Sequence, residues 1–347
     1  MTNEVLTQDE ASVHNLRNLR PVVTSHSIDG TFESCPRRFE FMHVWRQLPE
    51  GGSSGFAAEV GTCLHEAVQA WARIALLPGR NPQAENRFAV SAGLMTLLRW
   101  FPWSLEHVSI SAGKAGIKQR SLGETILLYN EIISAEFWRQ WDLIDVGDFG
   151  LSIEIPWRIN HASLGTFPLP DGGYGYLVTQ GKIDFILRHR NTREIRVIDL
   201  KTTVKDERAH EAAFRFSGQG PSYATVLAHA LNFDWKRHGL SMTYVVANFA
   251  SADGSEDATI KIYTYHYTPD DIQDGIDAKY ERLSRMKRFA LNNHWTRRQH
   301  GCDSFGNPCP YLRICPRRDN DFIKQWFAFE PFEEGSRIYE PIWELIA

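Results

Sequence analysis

No run of about 20 apolar residues occurs anywhere in this 347-residue chain, so no membrane-spanning helix is expected. The opening MTNEVLTQDEASVHNLRNLR is polar and mixed in charge. It lacks the basic-then-apolar order of a secretory leader, and a cytoplasmic address is the expectation. Cysteine is scarce: five, an odd number, which in such a compartment points away from a disulfide framework and towards metal or redox chemistry. There is no internal repeat and no low-complexity tract. In S-I-S-A-G-K-A-G (109–116) the Gly-Lys pair is not followed by Ser or Thr, so this is no Walker A loop. Any ATP-driven step would have to come from a partner. Nor is there a strong excess of one charge. A net charge of −4 argues against a non-specific polyanion binder, although an average can hide a local patch.

What remains is globular. Hydrophobic residues make up 43% of the chain, with 11 Trp and 20 Phe, enough for one elaborated domain or two. Residues 1–20 read as a mobile tail. From Ser25 a capping-type start leads into apolar residues at helical spacing, and a Gly/Ser-rich stretch at 50–55 ends that segment. Helices are predicted over 57–77, 84–100 and 121–142, with a flexible loop at 109–119. The texture then changes to β-branched and aromatic runs at 151–159, 174–187 and 194–200. A helix over 221–237, strands at 242–249 and 259–267, and a helix over 269–291 follow. That order predicts an α/β fold: a mixed central β-sheet with helices beside it.

The run I-R-V-I-D-L-K (195–201) carries the most chemistry. Alternate strand residues share a face, so Asp199 and Lys201 project together and Leu200 points the other way. If G-K-I-D-F (181–185) pairs with it as a hairpin, Asp184 comes alongside. Two carboxylates and an ammonium then surround one point, which suits a divalent cation held against a phosphodiester. A surface ion pair is the plainer alternative, but a carboxylate within V-I-D-L is costly unless paired or metal-bound. His65, in G-T-C-L-H-E-A, sits on a predicted helix from which an imidazole could complete the cation's shell, favouring Mn²⁺ over Mg²⁺. Gln69 shares its face by i,i+4 spacing, and Glu66 is a lesser neighbour. Gln219 and Tyr223 share a face where a helix begins, a natural place for a phosphate.

Cys302, Cys309 and Cys315 form C-x₆-C-x₅-C among prolines, and Cys35, in C-P-R-R-F, is the better candidate for a fourth ligand. Cys63 reads as a small buried apolar side chain. The wide gaps favour an iron–sulfur cluster over zinc, with structural Zn²⁺ as the alternative. Bases gather late in the chain: Arg282, Arg285, Lys287, Arg288, Arg297, Arg298, Arg313, Arg317 and Arg318, interleaved with His294, Trp295 and His300. They fit either a single-strand-binding surface or a solvated helix face.

Taken in order, C-P-R-R-F, G-T-C-L-H-E-A, G-K-I-D-F, V-I-D-L-K-T, Q-G-P-S-Y and the three closing cysteines resemble the RecB-like branch of the PD-(D/E)XK nuclease superfamily. The resemblance is nearer to the iron–sulfur members, such as the AddB nuclease domain and the nucleases of CRISPR spacer acquisition. It spans roughly residues 25–318 and implies a restriction-endonuclease-like core at 148–268. An N-terminal segment (21–56) would bring the first cluster cysteine and a helical region (57–147) the His motif. Residues 269–347 would add the last helix and cluster-binding segment. A helical insert at 78–147 is not accounted for by the motifs. By the same resemblance His65, Asp184, Asp199 and the Leu200 carbonyl would bind Mg²⁺ or Mn²⁺. Lys201 would orient water or offset transition-state charge, and Gln219 and Tyr223 would position the strand. Cys35, Cys302, Cys309 and Cys315 would hold a [4Fe–4S] cluster. The implied function is a DNA nuclease, an exonuclease or end-processing enzyme on single-stranded or unwound ends, and the implied partners are a helicase or another repair, recombination or CRISPR-adaptation protein. A non-catalytic iron–sulfur DNA-binding or scaffolding protein is the rival.

Overall fold

A computed structural model describes residues 19–45, 56–79, 86–102, 121–147, 150–170, 172–203, 214, 217–249, 257–298, 302–304, 307–309, 311–312, 315–316 and 343–346. The expected loop at 109–119, the Gly/Ser stretch at 50–55 and residues 1–18 of the expected tail lie outside these. The chain runs β1 (Arg20–Thr24), α1 (His26–Ser34), α2 (Phe56–Ala75), α3 (Asn86–Trp100) and α4 (Leu122–Ser134). Then come β2 (Trp141–Leu143), β3 (Ile153–Asn160), β4 (Thr166–Pro168), β5 (Tyr174–His189) and β6 (Ile195–Thr203). The remainder is α5 (Gln219–Leu231), β7 (Leu240–Asn248), β8 (Thr259–Tyr267), α6 (Pro269–Leu291), the short pair β9 (Asp303–Ser304) and β10 (Asn307–Pro308), and β11 (Trp343–Ile346).

Among the described residues nine strands form one mixed sheet, ordered β11-β3-β5-β6-β7-β8, with β1, β2 and β4 also pairing with β5. β5 and β6 pair antiparallel, as the expected hairpin requires, and α5 carries the chain over to β7, which lies parallel to β6. Strand alternation decides what each face buries. Val197 of β6, with Met242, Tyr244 and Val246 of β7, packs against Tyr223, Ala224 and Leu227 of α5. Ile198 and Leu200, with Val245 and Ala247, pack on the other face against α2 and α4. Val60, Leu64, Ala67, Val68 and Trp71 give α2 an apolar stripe at helical spacing for this contact. The sheet is thus covered on both faces, and Val197 and Ile198 make β6 apolar on both sides just before Asp199.

Three expectations change. The helix expected over 121–142 stops at Ser134; a 3₁₀ turn, Glu136–Gln140, follows, and Trp141 opens β2. Trp138 is buried there, its indole N–H donating to the Ile132 carbonyl at 2.7 Å, so tertiary packing overrides helix continuation. Arg20, placed in the tail by sequence, opens β1, which pairs parallel with β5 from Gly175 to Thr179. The helix expected over 221–237 divides at Asn232, whose left-handed backbone (φ 51°) ends α5.

Candidate active site

The β5–β6 ladder ends at Phe185 opposite Ile198. Beyond it the Leu200 N–H turns to the Asp184 side chain, donating to Oδ2 at 2.8 Å. Asp184 and Asp199 therefore stand where two strands part, one on each. Asp199, only 3% exposed, forms an ion pair with Lys201 at 2.7 Å. Leu200 faces the core, as the alternation predicts.

Helix α2 brings His65 to this point. A Cβ on Gly61 would lie 2.6 Å from Thr202 Oγ1, so only glycine lets the helix approach β6 this closely. One turn later His65 Nδ1 lies 3.8 Å from Asp184 Oδ2. Burial pushes the imidazole down to about 4, helped by Lys201 and opposed by Asp199 and Glu154. It is a neutral donor at neutral pH, the form that ligates metals.

Glu154 was not foreseen. It lies in β3 between Ile153 and Ile155, which pair with Phe185 and Ile183. Its φ of 53° is left-handed, rare for a residue with a side chain, and such backbones cost about 1–3 kcal/mol. The carboxylate accepts from Gln69 Nε2 at 2.7 Å and pairs with Lys182 at 2.8 Å. His65, Glu154 and Asp184 each offer a ligand atom, all within 4.8 Å of one another. Nothing in L-S-I-E-I-P reveals this turn. The one legible hint is Gln69, on the His65 face of α2.

The electrostatics suit a cation. Burial, and then the Asp199 carboxylate, raise the Asp184 carboxyl well above the usual range, with Lys201 and the Leu200 N–H only partly offsetting them. Burial opposes charge on Lys201, but Asp199 and Asp184 outweigh it and hold its ammonium above the ordinary value. Crowded carboxylates with one imidazole are a hard, oxygen-rich donor set, and positive charge placed among them relieves their repulsion. Gln219 begins α5, its Nε2 3.5 Å from Asp199 Oδ1 and 3.4 Å from the Tyr223 hydroxyl. Tyr223 donates to the Lys182 carbonyl at 3.1 Å, and its buried phenol is pushed well up first by burial, then by Asp199 and Asp184.

The four remaining cysteines gather elsewhere. Cys35 is buried at the end of α1; the Cys309 N–H donates to the Cys302 carbonyl at 2.8 Å; Cys309 and Cys315 pack beside Phe41, Trp45 and Tyr311. Burial first raises the thiols of Cys309 and Cys315; Cys35 and Cys302 raise both further, while Arg38 opposes this at Cys309 and Arg297 and Arg37 at Cys315. Among the described residues no three of these sulfurs lie within 4.8 Å of one another. Cys63 is a core side chain, its thiol pushed up to about 11 by burial.

The basic cluster is largely structural where it is described. Arg282, Arg285 and Arg298 converge on Glu33 of α1. Trp295 is buried against Phe39 and Phe289, which removes it as a base-stacking platform. Arg313, Arg317, Arg318 and His300 lie outside the described residues. No helix among the described residues is long and apolar enough to cross a membrane.

No curated protein matches the chain. Solved structures similar to it include an exonuclease-like protein from Eubacterium rectale, 12% identical, covering 86% of this chain and 89% of that one with a TM-score of 0.40. SSO0001 is 13% identical over 74% of this chain and 86% of its own, with a TM-score of 0.26. The family model of the PD-(D/E)XK nucleases matches residues 24–316, taking in the strands that carry Asp184, Asp199 and Lys201, and the chain belongs to that superfamily.

Proposed function

We propose that the protein is a metal-dependent deoxyribonuclease, an exonuclease or end-processing enzyme acting on single-stranded or unwound DNA. The observation that carries this reading is the meeting of Asp184, Asp199, Lys201 and His65 where β5 and β6 part, in a chain of a nuclease superfamily. His65, Asp184, Asp199 and the Leu200 carbonyl would hold Mg²⁺ or Mn²⁺, with Glu154 added to the set. The ion would neutralise charge at the phosphodiester and lower the pKa of its water. The Lys201 ammonium, paired with Asp199, would orient the attacking water or offset charge as the phosphorus is attacked. Gln219 and Tyr223, linked to Asp199 and to the β5 backbone, would set the strand's position.

Cys35, Cys302, Cys309 and Cys315 would hold an iron–sulfur cluster of the [4Fe–4S] type. Arg38 beside Cys309, and Arg297 and Arg37 beside Cys315, would offset part of the thiolate charge. The cluster would staple Cys35 to the C-terminal cysteines, a structural role that needs no electron transfer.

End-labelled single-stranded and duplex DNA, incubated with Mg²⁺ or Mn²⁺ and wild type, Asp199→Ala or Lys201→Ala, tests the enzyme. Cleavage by wild type alone is expected, with DNA binding retained by Lys201→Ala. Equal, metal-independent inertness of all three with binding intact would favour the scaffolding alternative. Brown colour after anaerobic purification is expected for the cluster; a colourless protein carrying zinc would refute it.

A further inference from the structure

Lys182 and Asp184 project from one side of β5, and Glu154 of β3 meets both. Both carboxylate oxygens of Glu154 are engaged. Gln69 Nε2 donates to Oε1 at 2.7 Å, and the Lys182 ammonium pairs with Oε2 at 2.8 Å. Yet the same carboxylate is one of three groups whose ligand atoms lie within 4.8 Å of one another. A divalent ion among His65, Glu154 and Asp184, with an ammonium still on Glu154, would put two like charges on one carboxylate.

The two partners of Glu154 are not equally able to yield. Gln69 is neutral, 1% exposed and carried by the packed helix α2. The Lys182 side chain is 38% exposed, and its flexible stem ends in a strongly hydrated charge. It lines an open cleft of about 570 Å³, which Glu154, His65 and Asp184 do not line. Its backbone is anchored, since its carbonyl accepts from the Tyr223 hydroxyl at 3.1 Å. The ammonium can therefore leave for solvent while β5 stays in place.

Building on the metal reading of this site, we propose that Lys182 is a positioning residue that holds the Glu154 carboxylate in metal-free protein and gives it up to the cation. Lys182 and the ion then exclude one another at Glu154. The exchange keeps Glu154 aimed at Asp184 before metal arrives, when two carboxylates side by side would otherwise repel. It also sets the metal affinity below what the bare carboxylates would give, because binding must first break the Lys182 pair.

Lys182→Met and Lys182→Gln both remove the charge, and the second keeps a hydrogen-bond donor for Glu154. Calorimetric titration of Mn²⁺ into DNA-free protein reads the exchange without turnover. Circular dichroism checks folding, and either folded variant suffices. We expect each to bind Mn²⁺ about tenfold more tightly than wild type. In EDTA each should melt at a lower temperature, and Mn²⁺ should raise its Tm by more than it raises that of wild type. A Glu154→Gln background separates exchange from general repulsion between cations: there, losing Lys182 should tighten Mn²⁺ binding by less than about twofold. Unchanged or weaker Mn²⁺ binding in a folded single variant overturns the proposal, and so does a full gain in the Glu154→Gln background. Failure of wild type to bind Mn²⁺ would overturn the metal reading itself and this proposal with it. Cleavage by wild type beside Asp199→Ala judges the nuclease reading apart.

Discussion

The Leu200 N–H donates to Asp184 Oδ2 at 2.8 Å just past the last β5–β6 ladder pair. A side chain takes the place of a backbone carbonyl, so the strands can separate without orphaning a buried donor. Asp184 performs this service at a cost, because burial and Asp199 both disfavour its charge.

Asp184→Asn should therefore separate stability from activity. The amide oxygen still accepts from Leu200, while the carboxylate repulsion disappears. The metal-free variant should melt at a higher temperature than wild type, and cleavage should fall at least about 100-fold through lost metal affinity. Thermal denaturation in EDTA beside a Mn²⁺ titration of activity checks both. A lowered melting temperature would mean that the hydrogen bond outweighs the repulsion.

At Glu154 the left-handed backbone and the carboxylate can be tested apart. Glu154→Gly relieves the strain, worth about 1 kcal/mol, and should leave stability equal or improved. Glu154→Gln keeps the strain and the Gln69 contact but loses the charge that Lys182 pairs with. Both variants should bind Mn²⁺ about 10–100-fold more weakly if Glu154 serves the metal site. Calorimetric titration of the ion would show unaltered affinity if it does not.

Gly61→Ala should misplace His65. The added methyl meets Thr202 Oγ1 at 2.6 Å and pushes α2 off β6, and an error of about 1 Å at a reacting centre costs about 100-fold in rate. Thr202→Ala removes that oxygen, leaving Cβ at 3.6 Å, so the double variant should recover much of the activity. Additive losses in the double-mutant cycle would argue against this packing account.

The hairpin and its Asp-x-Lys were legible because side-chain alternation and β-branched runs are local signals, and Q-x-x-x-Y needed only helical spacing. Glu154 was hidden for the opposite reason. L-S-I-E-I-P alternates like any half-exposed strand, and the partners that meet its carboxylate are Gln69, 85 residues away, and Lys182. Trp138 and Trp141 read as helix continuation, but Trp138 packs on Trp71 of α2 and Phe185 of β5 and Trp141 on His189 of β5, and α4 ends at Ser134. β1 and β11 escaped notice since each is short and pairs in parallel with a strand more than 150 residues distant. The basic cluster left two readings open because composition cannot show that Glu33 already collects three of its arginines.

Acid stability should follow His161. Buried, it donates or accepts at Thr179 Oγ1 at 2.8 Å, and burial first, then Lys279, press its imidazole down from 6.5 to about 4. Between those values the unfolded chain binds the proton and the folded chain does not, so stability rises with pH across the window and is lost as pH falls through it. A shift of that size corresponds to about 3 kcal/mol. His65 carries a similar depression, so the two imidazoles share the slope in metal-free protein. His161→Gln keeps a polar partner for Thr179 but cannot take up a proton. It should reduce the pH dependence of urea unfolding between about pH 4 and 6.5 by roughly half, leaving stability at pH 8 within about 1 kcal/mol of wild type. If the slope stays intact, the acid-sensitive protons belong to other groups, and the buried Thr24–Thr179–His161 chain is a neutral strut that does not sense pH.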